Sequence, residues 1–186
     1  FEELKDHYRA NNVAFFSTAF DRESVEYLES IETDLYKVAS FDVVNKALLR
    51  ELSKVGKPII MSVGMANLKE IREACDILDP TNSSLAILHC VSAYPTEEED
   101  ANLGAINVLR NKFDDCVIGQ SDHTPDIRVP LYAAAMGSQI FEKHYKFGVE
   151  TNKSKIQDII SRKSVEFTAA WKNTNIKLAH FHFCAS

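Results

Sequence analysis

Residues 85–95, LAILHCVSAYP, decide the fold of this chain. The segment begins as an apolar run of strand length, ends in hydroxyl and aromatic side chains, and is followed by an amphipathic stretch. Repeated segments of this kind predict βα units, whose near-continuous apolar strands form a parallel sheet that is buried on both faces. The same pattern recurs on either side in VAFFSTAFD (13–21), LYKVASFD (35–42), PIIMSVGM (58–65), CVIGQSDHT (116–124) and QIFEKHY (139–145).

The segments between the apolar runs carry signals of helix starts. Asp21, Asn45 and Asn67 each precede apolar residues at helical spacing, and side chains of this type cap helix N-termini. A further helix is predicted over residues 103–113. No linker rich in Gly, Ser or Pro divides residues 13–145, so we expect one domain there.

The number of units predicts an α/β fold, a (β/α)8 TIM-type barrel that is incomplete. Eight units typically take about 250 residues, and residues 1–12 look like the last helix of a preceding unit. We therefore assign a partial barrel domain to residues 1–148 and a diverged or truncated C-terminal segment to residues 149–186. In that segment, residues 153–173 have the pattern of an amphipathic helix and residues 176–186 that of a short strand, but no two further barrel strands are expected.

Composition narrows the class of protein. The chain has 186 residues, 45% of them hydrophobic, and a formal net charge of -6, which is typical of one soluble globular domain and argues against nucleic acid as a partner. No apolar segment approaches the roughly 20 residues that cross a bilayer, and no signal peptide opens the chain, although Phe1 is not expected to be a natural N-terminus. A cytoplasmic location is therefore predicted, without a membrane partner. Scattered cysteines without C-x-x-C pairs favour reduced thiols, namely Cys75, Cys90, Cys116 and Cys184.

Two histidines occupy equivalent positions in consecutive units. His123 and His144 each lie at the C-terminal end of a predicted strand, and neighbouring parallel strands run about 4.8 Å apart. Two imidazoles in this arrangement, with open positions for water and substrate oxygens, suit Mn²⁺, Co²⁺, Mg²⁺ or Zn²⁺ as a Lewis acid. A single histidine at a strand end often only satisfies a backbone carbonyl, and that interpretation stays open for each residue taken alone.

Hydroxyl side chains and one lysine recur at the same level of the predicted barrel. Lys37 lies inside a strand between Tyr36 and Val38, where a solvated surface role is difficult to explain. A phosphate group requires several directed donors and a cation, which this set would supply. Asp42 and Tyr94 add a carboxylate and a phenol suited to sugar hydroxyls, whereas helix capping is the simpler explanation for any one hydroxyl. The hydroxyl residues are Thr18, Ser40, Ser62, Ser92 and Ser121.

Taken together, the motifs resemble the sialic acid synthase family, whose members make N-acetylneuraminate and related acids from phosphoenolpyruvate. The matching motifs are FFSTAFD, YKVASFD, GKPIIMSVGM, LHCVSAYP, IGQSDHT and FEKHY, in order over roughly residues 4–147. The most specific pair is SDHT at 121–124 with EKH at 142–144. The resemblance implies a (β/α)8 barrel of which this chain holds about units three to eight.

The resemblance also implies a role for each matched position. His123 and His144 match the metal ligands of the family, the metal being Mn²⁺, Mg²⁺ or Co²⁺. Together with Lys37 they are the implied catalytic residues. The implied substrate-binding residues are Thr18, Lys37, Ser40, Ser62, Ser92 and Ser121 for phosphoenolpyruvate, and Asp42, Tyr94 and Asp158 for an N-acetylmannosamine-like acceptor.

The implied reaction is a transfer that forms a C–C bond. The enol-pyruvate methylene carbon attacks the open-chain aldehyde of the sugar, whose oxygen the metal polarises. Water then adds at the phosphate-bearing carbon, and the intermediate collapses to a nonulosonic acid with release of phosphate. The resemblance further implies a homodimer for the full-length protein.

The chain also departs from the family pattern. The first two βα units of the family, which supply a catalytic Glu and a phosphate-binding Lys, and its C-terminal antifreeze-like domain have no counterpart here, so we expect this piece alone to be inactive. Phe41 stands where the family usually has Gly, and the Gly-Pro-Asp segment after His144 is missing. Two alternatives remain: a phosphoenolpyruvate-condensing barrel that acts on a sugar phosphate, for which Arg128 is the nearby rim cation, and a non-catalytic remnant or interaction fragment.

Overall fold

The computed structural model of the chain describes residues 1–78 and 85–144, together with the backbone of residues 169–170 and 177–180. Strands and helices alternate in the predicted order over the first 144 residues. The strands there are β1 (Val13–Thr18), β2 (Leu35–Val38), β3 (Ile59–Ser62), β4 (Leu85–Cys90), β5 (Val117–Asp122) and β6 (Phe141–Lys143). The helices are α1 (Glu2–Ala10), α2 (Arg22–Ser30), α3 (Lys46–Lys54), α4 (Leu68–Leu78), α5 (Gly104–Lys112) and α6 (Arg128–Ala135). Two 3-10 turns, Ser40–Val44 and Glu98–Asp100, lie in the connections.

The six strands form one curled parallel sheet, in which each strand pairs with its neighbours in sequence. This arrangement confirms the predicted incomplete (β/α) barrel. All six carboxyl ends point to the same rim, which is where the loops of such barrels carry their active sites.

The C-terminal part of the chain adds two short strands, β7 (Ala169–Ala170) and β8 (Lys177–His180). Strand β8 runs parallel to β1, with Val13 opposite Lys177, and β7 is antiparallel to β8. The short strand predicted within residues 176–186 is confirmed, whereas residues 169–170, predicted as part of a helix, form a strand. Because β7 is antiparallel to β8, the two do not form further parallel barrel units. An open sheet edge pairs with any extended backbone, so the side-chain pattern of the tail does not reveal this pairing.

The predicted helix caps are confirmed. The carboxylate of Asp21 and the amide oxygen of Asn45 accept the N–H of the third residue beyond them, at 2.7 and 3.3 Å. Asn67 and Glu70 form a reciprocal capping box, in which Asn67 Oδ1 accepts from Glu70 N at 3.1 Å and Glu70 Oε2 accepts from Asn67 N at 2.8 Å. Among the described residues, no helix is long and apolar enough to cross a membrane.

Alternation along the strands separates two apolar layers. Side chains such as Tyr36 and Val38 pack against the helices, whereas Leu35 points to the opposite, inner face of the curled sheet. The inner layer is small, because most of the strands contribute a single residue to it. It consists of Phe16, Leu35, Ile60, Ala86, Leu88 and Ile140.

Candidate active site

The inner face of the sheet becomes polar one step above its apolar layer. Side chains two positions apart on a strand lie on the same face. Each strand contributes one residue of this inner face, just beyond the apolar layer, so that these side chains face the same space. The register places Thr18 opposite Lys37, Cys90 opposite Ser121, and Ser121 opposite Glu142. The polar layer consists of Thr18, Lys37, Ser62, Cys90, Ser121 and Glu142.

Lys37 lies at the centre of a hydrogen-bonded network in this layer. Its side chain is buried, with the residue 4% exposed, and its Nζ donates to Ser62 Oγ at 2.7 Å and to Val38 O at 3.1 Å. Glu142 Oε2 lies 3.5 Å from Lys37 Nζ and accepts from Ser62 Oγ at 3.4 Å. A buried cation with a hydroxyl beside it is the kind of site that binds an anionic oxygen group.

Sequence reasoning missed Glu142, although the motif EKH contains it. Glu142 lies in β6, two residues before His144, which directly follows the strand, so both side chains face the inner space. The period of two along a strand is the signal that predicts it. The structure thus adds a carboxylate to a site predicted from a lysine, hydroxyls and imidazoles.

Ser40, Ser121 and Cys90 form a second group beside the lysine network. Both hydroxyls are hydrogen-bonded to the Cys90 thiol, and burial raises the pKa of that thiol. Ser40 Oγ also accepts the N–H of Gly64 at 3.0 Å. A Cβ on Gly64 would lie 2.8 Å from Cys90 O and 2.8 Å from Ser92 Oγ, so this close approach requires glycine.

The two predicted metal ligands lie side by side at the rim. Their ring centroids are 5.3 Å apart, with 39° between the ring planes. His123 Nδ1 donates to Val91 O at 2.7 Å, which leaves the lone pair of the ring on Nε2. Burial lowers the pKa of His123, which keeps the imidazole neutral. Both features suit a metal ligand, since ligating histidines are neutral and are held by a hydrogen bond from the other nitrogen.

The donor set is therefore compatible with a divalent cation. The described residues contain no group of three or more His, Cys, Asp or Glu side chains that would hold a metal by themselves. Two imidazoles leave several coordination positions for water or substrate oxygens, as a Lewis-acid site requires.

Two predicted acceptor contacts flank the histidines. The Tyr94 ring, 48% exposed, lies with its centroid 4.0 Å from that of His123 and 5.6 Å from that of His144. Asp42 is buried in the 3-10 turn after β2, where Oδ1 accepts from Asn45 Nδ2 at 3.1 Å and Oδ2 has no hydrogen-bond partner. Burial raises the pKa of this carboxyl. An unpaired buried carboxylate oxygen at the rim is suited to accept a hydroxyl of a ligand.

The remaining predicted site residues are placed as follows. Thr18 is buried at the end of β1, in the same layer as Lys37. Ser92 is exposed in the loop after β4. Asp158 lies outside the described residues.

A buried ion pair on the helix-facing side of the sheet links the ends of β5 and β6, which directly precede the two histidines. Lys143 Nζ contacts Asp122 Oδ2 and donates to Thr124 O at 2.6 Å, while Thr124 Oγ1 donates to Asp122 Oδ1 at 3.0 Å. The side chains of Asp122 and Lys143 are 2% and 8% exposed. Each of these residues directly precedes a histidine, so the pair fixes the ends of β5 and β6 from which His123 and His144 project.

The comparisons with known proteins agree on one family. The family model described as "NeuB family" matches residues 1–177. The chain is 38% identical over 147 residues to the N,N'-diacetyllegionaminic acid synthase of Campylobacter jejuni, covering 77% of this chain and 44% of that protein. It is 32% identical over 144 residues to the N-acetylneuraminate-9-phosphate synthase of Mus musculus, covering 77% of this chain and 40% of that protein.

Solved structures show the same relationship. The N-acetylneuraminic acid synthetase of Leptospira borgpetersenii, crystallised with citrate, superposes with a TM-score of 0.75 at 41% identity. The match covers 78% of this chain and 50% of that one. The chain thus spans about half or less of the length of the relatives that it matches.

Proposed function

This chain belongs to the NeuB family, and we propose that it carries the phosphoenolpyruvate site and the metal site of a synthase that joins phosphoenolpyruvate to an N-acetylmannosamine-like aldehyde sugar. The products would be a nonulosonic acid and phosphate. The observation that carries the proposal is the position of the buried Lys37–Ser62–Glu142 network on the same inner face as the paired rings of His123 and His144.

The lysine network is assigned to the phosphate and carboxylate of phosphoenolpyruvate. Lys37 Nζ supplies the cation. The hydroxyls of Ser62 and Ser121, at the ends of β3 and β5, and of Ser40, in the turn after β2, supply directed hydrogen bonds. Such a site binds an anion because a buried ammonium has few other ways to balance its charge. Glu142 partly balances that charge, and a bound anion would compete with it for Lys37.

The histidines are assigned to the acceptor aldehyde. His123 and His144 would hold a divalent cation, which when bound would polarise the carbonyl oxygen of the sugar and so favour attack by the enol carbon. The hydrogen bond from His123 Nδ1 to Val91 O holds this ring with Nε2 directed away from the backbone. Glu142, on the same inner face, is placed to accept a proton from the water or hydroxyl that reacts.

The rim favours an acceptor without a phosphate. Arg128, the predicted candidate for a phosphate contact, is exposed and already pairs with Asp126 at 2.8 Å and with Glu98. Two carboxylates satisfy its charge, so it is a poor anion site. The names of the relatives include both kinds of product, and this ion-pair cluster is the feature that argues for the unphosphorylated sugar.

Binding of phosphoenolpyruvate to the 186-residue chain in the presence of Mn²⁺, followed by calorimetry, tests the proposal. We expect Lys37→Met to weaken binding by at least about tenfold, because a charge-assisted contact is lost. Lys46→Met is the matched control, since Lys46 is exposed on α3 and pairs only with Glu73 among the contacts described for it. It should change the affinity less than about twofold.

Two further measurements separate the alternatives. Absence of phosphoenolpyruvate binding by a folded chain would favour a non-catalytic remnant. For the protein completed at both ends, phosphate release with N-acetylmannosamine is expected to exceed release with its 6-phosphate. The reverse order would support the sugar-phosphate alternative, and an unchanged rate in His123→Ala would contradict the metal assignment.

A further inference from the structure

Two cysteines meet on the outer side of the sheet, away from the candidate active site. Cys75 lies near the end of α4, and Cys116 directly precedes β5. Their side chains are hydrogen-bonded to each other, and both pack against the core between sheet and helices. Residues far apart in the sequence are thus in side-chain contact through sulfur.

Independent contacts hold the two segments together. Arg72, one turn before Cys75 on α4, places its guanidinium 4.3 Å from the ring centroid of Phe113 and donates to Lys112 O. Cys116 N in turn donates to Phe113 O at 3.1 Å, which fixes the turn that carries the thiol. The helix and the turn are therefore held together next to the sulfur pair.

We propose that Cys75 and Cys116 are a redox modification site, which a peroxide converts to a disulfide between α4 and the start of β5. The two sulfurs, which are in hydrogen-bond contact, have to close to the disulfide bond length of about 2.0 Å. The site is independent of the proposed synthase activity.

The surroundings decide which thiol reacts first. The hydrogen bond with Cys116, together with burial, raises the pKa of Cys75, so Cys75 stays a thiol, whereas Cys116 is only half-buried. Cys116 is therefore the thiol that a peroxide reaches first.

The chemistry balances with peroxide as the oxidant. The Cys116 thiolate attacks the O–O bond, which breaks to give a sulfenic acid and hydroxide, and the hydroxide takes up the proton that the thiol had released. Cys75 sulfur then attacks the sulfenic sulfur, so that the S–S bond forms, the S–O bond breaks and water leaves with the Cys75 proton. Two thiols lose two electrons, and one peroxide becomes two waters.

The experiment treats the folded 186-residue chain with hydrogen peroxide and maps disulfides by mass spectrometry under non-reducing conditions. Cleavage by a protease that cuts before Asp76 separates Cys75 from Cys90, which share one tryptic peptide. We expect a Cys75–Cys116 link and the loss of two thiols per chain. The melting temperature should rise by about 5–10 °C and return to its starting value with a reductant.

Cysteine-to-serine variants test which thiols form the link. Cys75→Ser and Cys116→Ser should each abolish both the link and the shift in melting temperature, while Cys90→Ser should leave the link in place. Persistence of both thiols, separate over-oxidation of each, or scrambled links in the folded chain would overturn the proposal. A urea-unfolded sample shows what scrambled links look like.

Discussion

The buried Asp122–Lys143 ion pair provides a quantitative test of how the two histidines are positioned. Asp122→Asn keeps the size of the side chain but leaves the Lys143 ammonium without a counter-charge, in a site where the lysine side chain is 8% exposed. Removing one partner of a buried ion pair costs about 3–5 kcal/mol. We expect a loss of stability in that range. The hydrogen bond from Lys143 to Thr124 O remains in the variant, so the loss reports on the missing charge.

A double-mutant cycle isolates the interaction. Lys143→Met and the double variant, measured by urea unfolding of the 186-residue chain, should give a coupling energy of at least about 2 kcal/mol, because the double variant leaves no unpaired charge. The control is the exposed pair Lys46–Glu73, at 2.7 Å, for which the same cycle should give at most about 1 kcal/mol.

The same variants link stability to the metal site. Loosening the ends of β5 and β6 should weaken Mn²⁺ binding in Asp122→Asn more than in Glu73→Gln. Equal costs for the buried and exposed pairs, or an additive cycle at Asp122 and Lys143, would refute the role assigned to the ion pair.

Three smaller effects follow from single contacts. Because burial raises the pKa of Asp42, its ionisation costs stability as pH rises above the unfolded value of about 3.9. Asp42→Asn should therefore raise the melting temperature more at pH 7 than at pH 3.5. Gly64→Ala should cost about 1–3 kcal/mol in urea unfolding because the new methyl meets Cys90 O at 2.8 Å, whereas Gly104→Ala, with open space around it, should not destabilise. Asp21→Ala should lose about 1 kcal/mol through its N-cap, measured in the same way, and an unchanged midpoint would contradict that contact.

The strands and the site lysine were predictable because their signals are local. A buried parallel strand is a short apolar run, and a charged residue within one, such as Lys37, is conspicuous. The caps at Asp21, Asn45 and Asn67 are also local patterns, and the structure bears them out.

The unpredicted features depend on relations between strands. The pairing of Asp122 with Lys143 requires the register of β5 against β6, which neither segment contains alone. The period of two along β6 indicates Glu142, but the imidazole of His144 beside it has the more obvious chemistry. The position of β8 depends on an unpaired backbone edge rather than on side chains.

The ladder between β1 and β8 has a consequence for how the chain is made. Strand β1 and its partner β8 lie far apart in the sequence, with Val13 opposite Lys177. Contacts so distant in sequence form slowly, so a newly synthesised chain spends time with one flank of its sheet unprotected. During that interval another nascent chain can pair there instead, and the yield of monomeric protein should therefore depend on how quickly residues 177–180 dock against β1.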